Sequence, residues 1–382
     1  MNMSPISTLN REKSINPERL TEAREAKGLT MADLARLLDV SRQAISAFEK
    51  GQKNPSFETL TQISRVLGFP ERFFLSTSSS PMIDGAVHFR SRSSTSKKER
   101  LMGRTKGRWV SLILNEMTKY ATLPETKLPD LEISDFELLS KADIEELATQ
   151  VRRFWGLGDG PIRSLTQLLE NNGIVVANIY SGEKVDAFSF WSENTPIIVT
   201  DKSKTAVRMR FSIAHELGHL VMHQAVDDDY IDDKDLFNKV EAQANYFAAC
   251  FLMPANSFSN EYFSPNLSAL IKLKERWIAS VAAITHRASS LRLMSDNQKE
   301  YVFRQLAPYR KREPLDDVIP REEPKLINKL ANLLDEHNVI KKQDLIEMIG
   351  IPDKDFLAIT RLTREEMVPT EMNVVPIKLH KK

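Results

Sequence analysis

The sequence carries a single cysteine in 382 residues, Cys250. It therefore closes no internal disulfide and builds no thiolate-rich zinc site, and such sparing use suits a reducing compartment. Charge of one sign is also missing in bulk: 53 Lys and Arg stand against 52 Asp and Glu, for a formal net charge of +1. That excludes a polycation coating nucleic acid, so any surface for DNA must be local. No apolar run approaches the roughly 18 residues of a membrane-spanning helix. The opening MNMSPISTLNREKS lacks the apolar centre of a secretory signal. These absences predict a soluble, cytoplasmic protein with no membrane partner. No internal repeat is visible, and the length suits two or three domains, each with its own core.

What is present changes character along the chain. Residues 17–75 show helical apolar spacing in ERLTEAREAKG, ADLARLLDV, RQAISAFEKG and FETLTQISRVLGF. Gly28 ends the first predicted helix, Thr30, Ser41 and Ser56 cap the next three, and GQKNPS stops the third. Two short helices joined by the tight turn LDVS suit a helix-turn-helix, with Leu34, Ala35, Leu38, Val40, Ile45 and Leu60 as its core. The second helix of the pair turns Arg42, Gln43 and Ser46 outward, side chains able to bond base edges or phosphates in a major groove. Lys50 and Lys53 stand where phosphates would be met, and Glu49 reads as a structural contact. The stretch LTMADLARLLDVSRQAISAFEKGQKNPSFETLTQISRVLGF resembles XRE/Cro/cI-type repressor domains over roughly 60 residues, departing from them at Met31, where relatives carry Gln. The resemblance implies double-stranded DNA as a partner, with Ser41, Arg42, Gln43, Ser46 and Lys50 as the DNA-binding set, and leaves a homodimer open. A domain used only for dimerisation or partner binding is the competing reading.

Residues 76–108 are Ser-rich and basic, with eight Lys or Arg between Arg90 and Arg108 against one acid, Glu99. A solvated linker is expected here, with an arm along DNA phosphates as the sharper alternative. Helices return over about 107–156, broken by LPETKLPDLEIS. GIVVANIY, DAFSFW and TPIIVT read as three short strands. Long helices follow near 205–224 and 236–251, and the remainder is helical apart from the Pro-containing break APYRKREPLDDVIPREEP.

The segment FSIAHELGHLVMH holds the metal-site signature. His215 and His219, four residues apart on a helix, share a face and can reach one ion. Glu216 between them suits the proton carrier of a zinc hydrolase. HExxH is weak alone, and a catalytic zinc site needs a third protein ligand and an open position. Glu241, opening EAQANYFAACFLMP, is the preferred candidate ahead of the loop acids Asp227, Asp228 and Asp229. His223, one turn beyond His219, is either an oxyanion donor or outer partner, or a bystander at the helix end. Tyr246 and Tyr230 are oxyanion candidates whose default is core or loop. Arg208 and Arg210 steady acidic neighbours, and Cys250 is a small core residue. An edge strand beside the metal helix, DAFSFW or TPIIVT, would present an extended substrate.

GPIRSLTQLLENNGIVV, DAFSF, RMRFSIAHELGHLVMH and EAQANYFAACFLMP, spanning about residues 145–255, resemble the ImmA/IrrE metallopeptidase family. HFR after the first domain and EP at Pro314 recur in relatives that fuse both domains, whereas Gln243 stands where relatives often carry an acid. The resemblance implies an α+β multidomain fold: an all-α helix-turn-helix domain (17–75), a linker (76–108), a zincin-like domain with a small sheet (109–255) and a mostly helical region (256–382). It implies Zn2+ on His215, His219 and Glu241, with Glu216 as base. The substrate class it implies is a helix-turn-helix repressor, encoded by a partner gene or present as this chain's own first domain, in the setting of bacterial prophages, mobile elements or stress responses. The alternative is a transcription factor or antitoxin-like protein whose peptidase-like domain senses a ligand or partner without proteolysis.

Overall fold

A computed structural model describes residues 14–76, the backbone of 84–91, and residues 96–131, 133, 135–180, 182, 185–224, 226 and 233–367. The first elements among the described residues are five helices: α1 (Pro17–Ala26), α2 (Met31–Leu37), α3 (Arg42–Glu49), α4 (Phe57–Leu67) and α5 (Glu71–Leu75). Their ends follow local chemistry. Thr30 and Asp33 form a reciprocal capping box on α2, and Ser41 and Ser56 accept from the third backbone N–H of α3 and α4. Gly28 ends α1 with φ +60°, a conformation that a Cβ disfavours. Leu34, Ala35, Leu38, Ile45 and Leu60 are buried and Val40 is half-buried, as the apolar spacing predicts. Glu49 braces the bundle, taking Arg24 Nε and Nη2 at 2.5 and 2.9 Å.

Next come β1 (Asp84–Ser91) and α6 (Lys97–Thr118). Here the structure departs from the expected linker over 76–108. Lys97 to Arg108 belong to one 22-residue helix that runs through the expected boundary at 109, opened by a Ser96–Glu99 capping box. Lys97, Lys98, Arg100, Arg104 and Arg108 lie along one side of an amphipathic helix whose other side buries Trp109, Val110, Ile113, Leu114 and Met117, while Lys106 is buried and donates to the Tyr180 carbonyl at 2.7 Å. Trp109 Nε1 donates to Glu22 Oε1 at 2.5 Å, tying α6 to α1. A Cβ on Gly107 would stand 3.0 Å from the rings of Phe188 and Phe190, so the helix lies directly against the sheet. His88 and the rest of the expected basic arm before Ser96 lie outside the residues whose side chains are described.

The chain continues through α7 (Lys141–Phe154), α8 (Leu165–Asn171), β2 (Val175–Asn178), β3 (Val185–Ser192), β4 (Thr195–Thr200), α9 (Ala206–Met222) and α10 (Lys234–Leu252). The three expected strands are β2, β3 and β4, and β1 joins them in a sheet of order β1-β3-β4-β2. β3 pairs antiparallel with both β1 and β4, while β2 lies parallel to β4. DAFSFW and TPIIVT are therefore interior strands, correcting their expected role as an edge. The edges are β1 and β2.

The last elements are α11 (Ala255–Glu261), α12 (Leu267–Trp277), α13 (Val281–Ser290), α14 (Asp296–Leu306), α15 (Leu326–Glu336), α16 (Lys342–Ile349) and α17 (Asp353–Thr360). The sheet divides two apolar cores by the period-two alternation of its strands. Val175, Ala177, Phe188, Phe190, Ile197 and Val199 face a core shared with α1–α6 and α15–α17. Val176 and Ile198 face a second core with α7–α10 and α12–α14. The metal-motif helix α9 lies in this second core.

Candidate metal centre and DNA-facing helix

α9 is buried along nearly its whole length, and α10 crosses it closely because the contact residues are small. Ala244 and Ala248 are fully buried, and a Cβ on Gly218 would stand 3.1 Å from Phe247 Cδ1. This crossing brings Glu241 to the two histidines. His215 Nε2 and His219 Nε2 are 3.0 Å apart; Glu241 Oε2 is 3.5 Å from the first and its Oε1 3.3 Å from the second. Among the described residues this is the one His/Cys/Asp/Glu group whose ligand atoms converge on a common point. Donors about 2.0–2.1 Å from a single tetrahedral ion stand roughly 3.3 Å from one another, the spacing found here.

The tautomers support the same reading. His215 Nδ1 lies 3.1 Å from Asn245 Oδ1, an acceptor, so the imidazole proton sits on Nδ1 and Nε2 keeps its lone pair. A longer relay fixes His219. Gln243 Nε2 donates to the Phe136 carbonyl at 2.7 Å, so Oε1 is the atom facing His223 and accepts from its Nε2–H at 2.9 Å. His223 then presents an Nδ1 lone pair to His219 Nδ1–H, 3.1 Å away. His219 Nε2 is left to act as a lone-pair donor. Burial, with the His219 imidazole adding to it, pushes His223 down to about 3, so it is neutral as the relay requires. Burial alone would raise the Glu241 carboxyl, but the neighbouring imidazoles of His215 and His219 more than offset this and hold it well below the usual carboxylate range. That support comes from protons on the imidazoles; with both Nε2 atoms unprotonated, a cation held between the three groups takes its place. The donor set, two imidazoles and one carboxylate, suits zinc.

Glu216 is fully buried, and its Oε2 accepts from Ser189 Oγ at 2.7 Å. Ser189 lies on β3 between Phe188 and Phe190, on the sheet face turned toward α9. Sequence reading passed over it, although a lone hydroxyl between two inward-facing aromatics of a strand was a usable signal. Asn245 was passed over as well, and its signal was the i+4 spacing from Glu241 on one helix face. His223, weighed as an outer partner or a bystander, lies within hydrogen-bond reach of His219 Nδ1. Tyr246, an oxyanion candidate with a core place as its default, turns its hydroxyl to Glu145 Oε2 at 3.5 Å, beside Cys250 and Arg287. Arg208 and Arg210 do brace acids, Asp186 and Glu322. Asp227, Asp228, Asp229 and Tyr230 lie outside the described residues.

In the N-terminal bundle, Arg42 and Gln43 are exposed at the N-terminal end of α3, Lys50 is exposed just past its C-terminal end, and Ser46 is half-buried. Ser41 Oγ is engaged as the α3 cap, accepting from Ala44 N–H at 3.1 Å.

Residues 20–74 match the model of the helix-turn-helix family, and residues 170–289 match that of the M78 peptidases, described as the IrrE N-terminal-like domain. The second match contains His215, Glu216, His219 and Glu241, and extends past the expected end at 255 into α13. The chain is 36% identical over 58 residues to an SPbeta prophage-derived uncharacterized HTH-type transcriptional regulator, YonR, of Bacillus subtilis (strain 168). That alignment covers 15% of this chain and 54% of the relative. A Mycobacterium tuberculosis transcriptional regulator of known structure aligns with a TM-score of 0.31 at 18% identity, covering 41% of this chain and 49% of that one. The chain thus spans about half the length of each of these relatives. It joins an XRE-type DNA-binding domain to an ImmA/IrrE-type peptidase-family domain. Among the described residues no helix is long and apolar enough to cross a membrane.

Proposed function

We propose that the chain is a DNA-binding regulator that hydrolyses a peptide bond in a repressor-type protein at the His215–His219–Glu241 centre. The observation that carries this reading is the convergence of two histidine nitrogens, each set by its hydrogen-bond partner, and the Glu241 carboxylate, beside a buried carboxylate, Glu216. Zinc bound there supplies Lewis acidity and a water acidic enough to act as nucleophile near neutral pH. Glu216, steered by the Ser189 hydroxyl, takes the proton of the attacking water and delivers it to the leaving amine as the C–N bond breaks. Asn245 and the His223–Gln243 relay keep the ligands in register throughout. Arg42, Gln43, Ser46 and Lys50 meet operator DNA, with Ser41 setting the start of α3. One observation favours the sensing alternative: His215, Glu216 and His219 are sealed from solvent, and only Glu241, 14% exposed, opens outward.

The test pairs metal analysis with the Glu216→Gln variant. Parent and variant each carry about one zinc per chain, and only the parent cuts a co-expressed helix-turn-helix repressor from a neighbouring gene. Equal cleavage by both proteins, or a parent without metal, refutes the peptidase reading. Zinc without cleavage assigns the centre to sensing.

A further inference from the structure

A cavity of about 1130 Å³ opens beside the metal centre, between the N-terminal half of α9, the middle of α10, α13 and the loop after α14. The two sites share a wall: Asn245, which orients His215, also lines the cavity, as does Ala242 next to Glu241. The lining is unusually cationic, with nine Lys or Arg side chains against two acids, Glu313 and Asp316.

The pairing within this lining decides what the cavity can hold. Both acids are already spent on the fold. Lys274 takes Glu313 at 2.9 Å and Asp316 at 2.5 Å, and Glu313 also caps the start of α13 by accepting from Val281 and Ala282 N–H. These bonds pin the loop that presents Arg310, Lys311 and Arg312 at the cavity. Among the cations, Lys204 and Arg208 are engaged by Asp186, Arg287 by Glu145 and Arg312 by Asp317. Lys141, Arg292, Lys299, Arg310 and Lys311 form no ion pair among the described residues. Five uncompensated cations therefore face one cavity with no free acid, a focused positive field.

We propose that this cavity is a docking site for an acidic segment of the protein substrate, which it holds next to the metal centre. The cavity exceeds the roughly 300–1,000 Å³ of ordinary small-molecule sites. Its unpaired cations come from separate elements, at the start of α7, after α13, within α14 and on the 310–312 loop. That spread matches an extended chain bearing several carboxylates rather than one compact anion. Phe211, Tyr246 and Tyr309 add apolar surface for the intervening side chains. The site deepens the peptidase reading, naming the substrate class it selects.

The test uses the full-length Glu216→Gln protein, so that a bound peptide is not consumed. Fluorescence anisotropy follows a labelled octapeptide of alternating Glu and Gly, with a Gln-for-Glu peptide as the neutral control. The acidic peptide binds at least tenfold more tightly, and adding Lys299→Glu with Lys311→Glu abolishes that preference while the melting temperature is retained. Arg42→Ala with Lys50→Ala leaves it intact. Equal binding of the two peptides, or a preference lost only on changing Arg42 and Lys50, overturns the proposal. Displacement by inorganic tripolyphosphate at concentrations below the peptide's own Kd also overturns it, assigning the cavity to a small anion. Docking is read on a protein that cannot cut, so it stands or falls separately from proteolysis: cleavage by the parent that ignores Lys299 and Lys311 defeats this proposal alone, and docking without cleavage defeats only the peptidase reading.

Discussion

Replacing Gln243 by Leu tests the relay that sets the tautomer of His219. Leu fills a similar volume but neither donates to the Phe136 carbonyl nor accepts from His223 Nε2–H, bonds of 2.7 and 2.9 Å. Leaving a buried donor without its acceptor costs about 1–3 kcal/mol. His223 can relieve part of that cost by moving its proton to Nδ1. His219 must then accept at Nδ1 and carry its own proton on Nε2, the atom 3.0 Å from His215 Nε2 and 3.3 Å from Glu241. A metal has to reverse this before it binds. The penalty on metal affinity is therefore the preference for the wrong tautomer, of the order of one hydrogen bond, or about 10- to 100-fold. Zinc competition against a chromogenic chelator at pH 7.5 measures it, and urea unfolding of the metal-free protein measures the structural cost in parallel. If the variant loses stability as expected yet binds zinc within about twofold of the parent, Gln243 is only a packing residue and the tautomer argument fails.

Three further outcomes follow from the geometry. Gly218→Ala forces a Cβ to within 3.1 Å of Phe247 Cδ1 at the α9–α10 crossing, so it costs about 1–3 kcal/mol in urea unfolding and weakens zinc binding by moving Glu241; an unchanged unfolding midpoint refutes the tight crossing. Burial would raise the Glu145 carboxyl, but the bidentate Arg287 more than offsets this and lowers it below 4.5. Stability from this pair is thus full above pH 4.5 and lost as the pH falls below it; acid unfolding is shallower in Glu145→Gln, and identical acid profiles contradict the assignment. Arg42→Ala and Gln43→Ala each weaken binding to the promoter upstream of this gene, by about 1–3 kcal/mol if they read bases, in electrophoretic shift assays at fixed salt; undiminished binding moves the domain from DNA to a protein partner.

Much of the site was legible because helical periodicity ties spacing to direction. His215 and His219 had to share a face, and the alanines at 244 and 248 announced the close crossing that delivers Glu241. The partners of those ligands were not legible in the same way. Gln243 and His223 are 20 residues apart and meet only because α9 and α10 run side by side. Phe136, which fixes the Gln243 amide, lies 107 residues away in a short turn without apolar periodicity. Ser189 depends on strand register, which local sequence leaves open until β4 is paired: Ser189 sits opposite Ile198, and both turn toward α9.

The linker shows the opposite failure, in which composition outweighed pattern. Eight cations between Arg90 and Arg108 resembled a solvated segment, yet the apolar positions Met102, Trp109, Val110, Ile113, Leu114 and Met117 continue at helical spacing beyond them. A boundary placed at 109 cut that series near its first large member. The helix-turn-helix bundle is thus not tethered to the peptidase-family domain but packed against it. Glu22 on α1 holds Trp109 on α6, Gly107 on α6 admits the rings of Phe188 and Phe190, and Ser189 between them holds Glu216. Contiguity of this kind is not coupling by itself, because coupling requires an element with two arrangements that both sites bias. It does mark one continuous packed route from the N-terminal bundle to the metal centre, through α6 and β3.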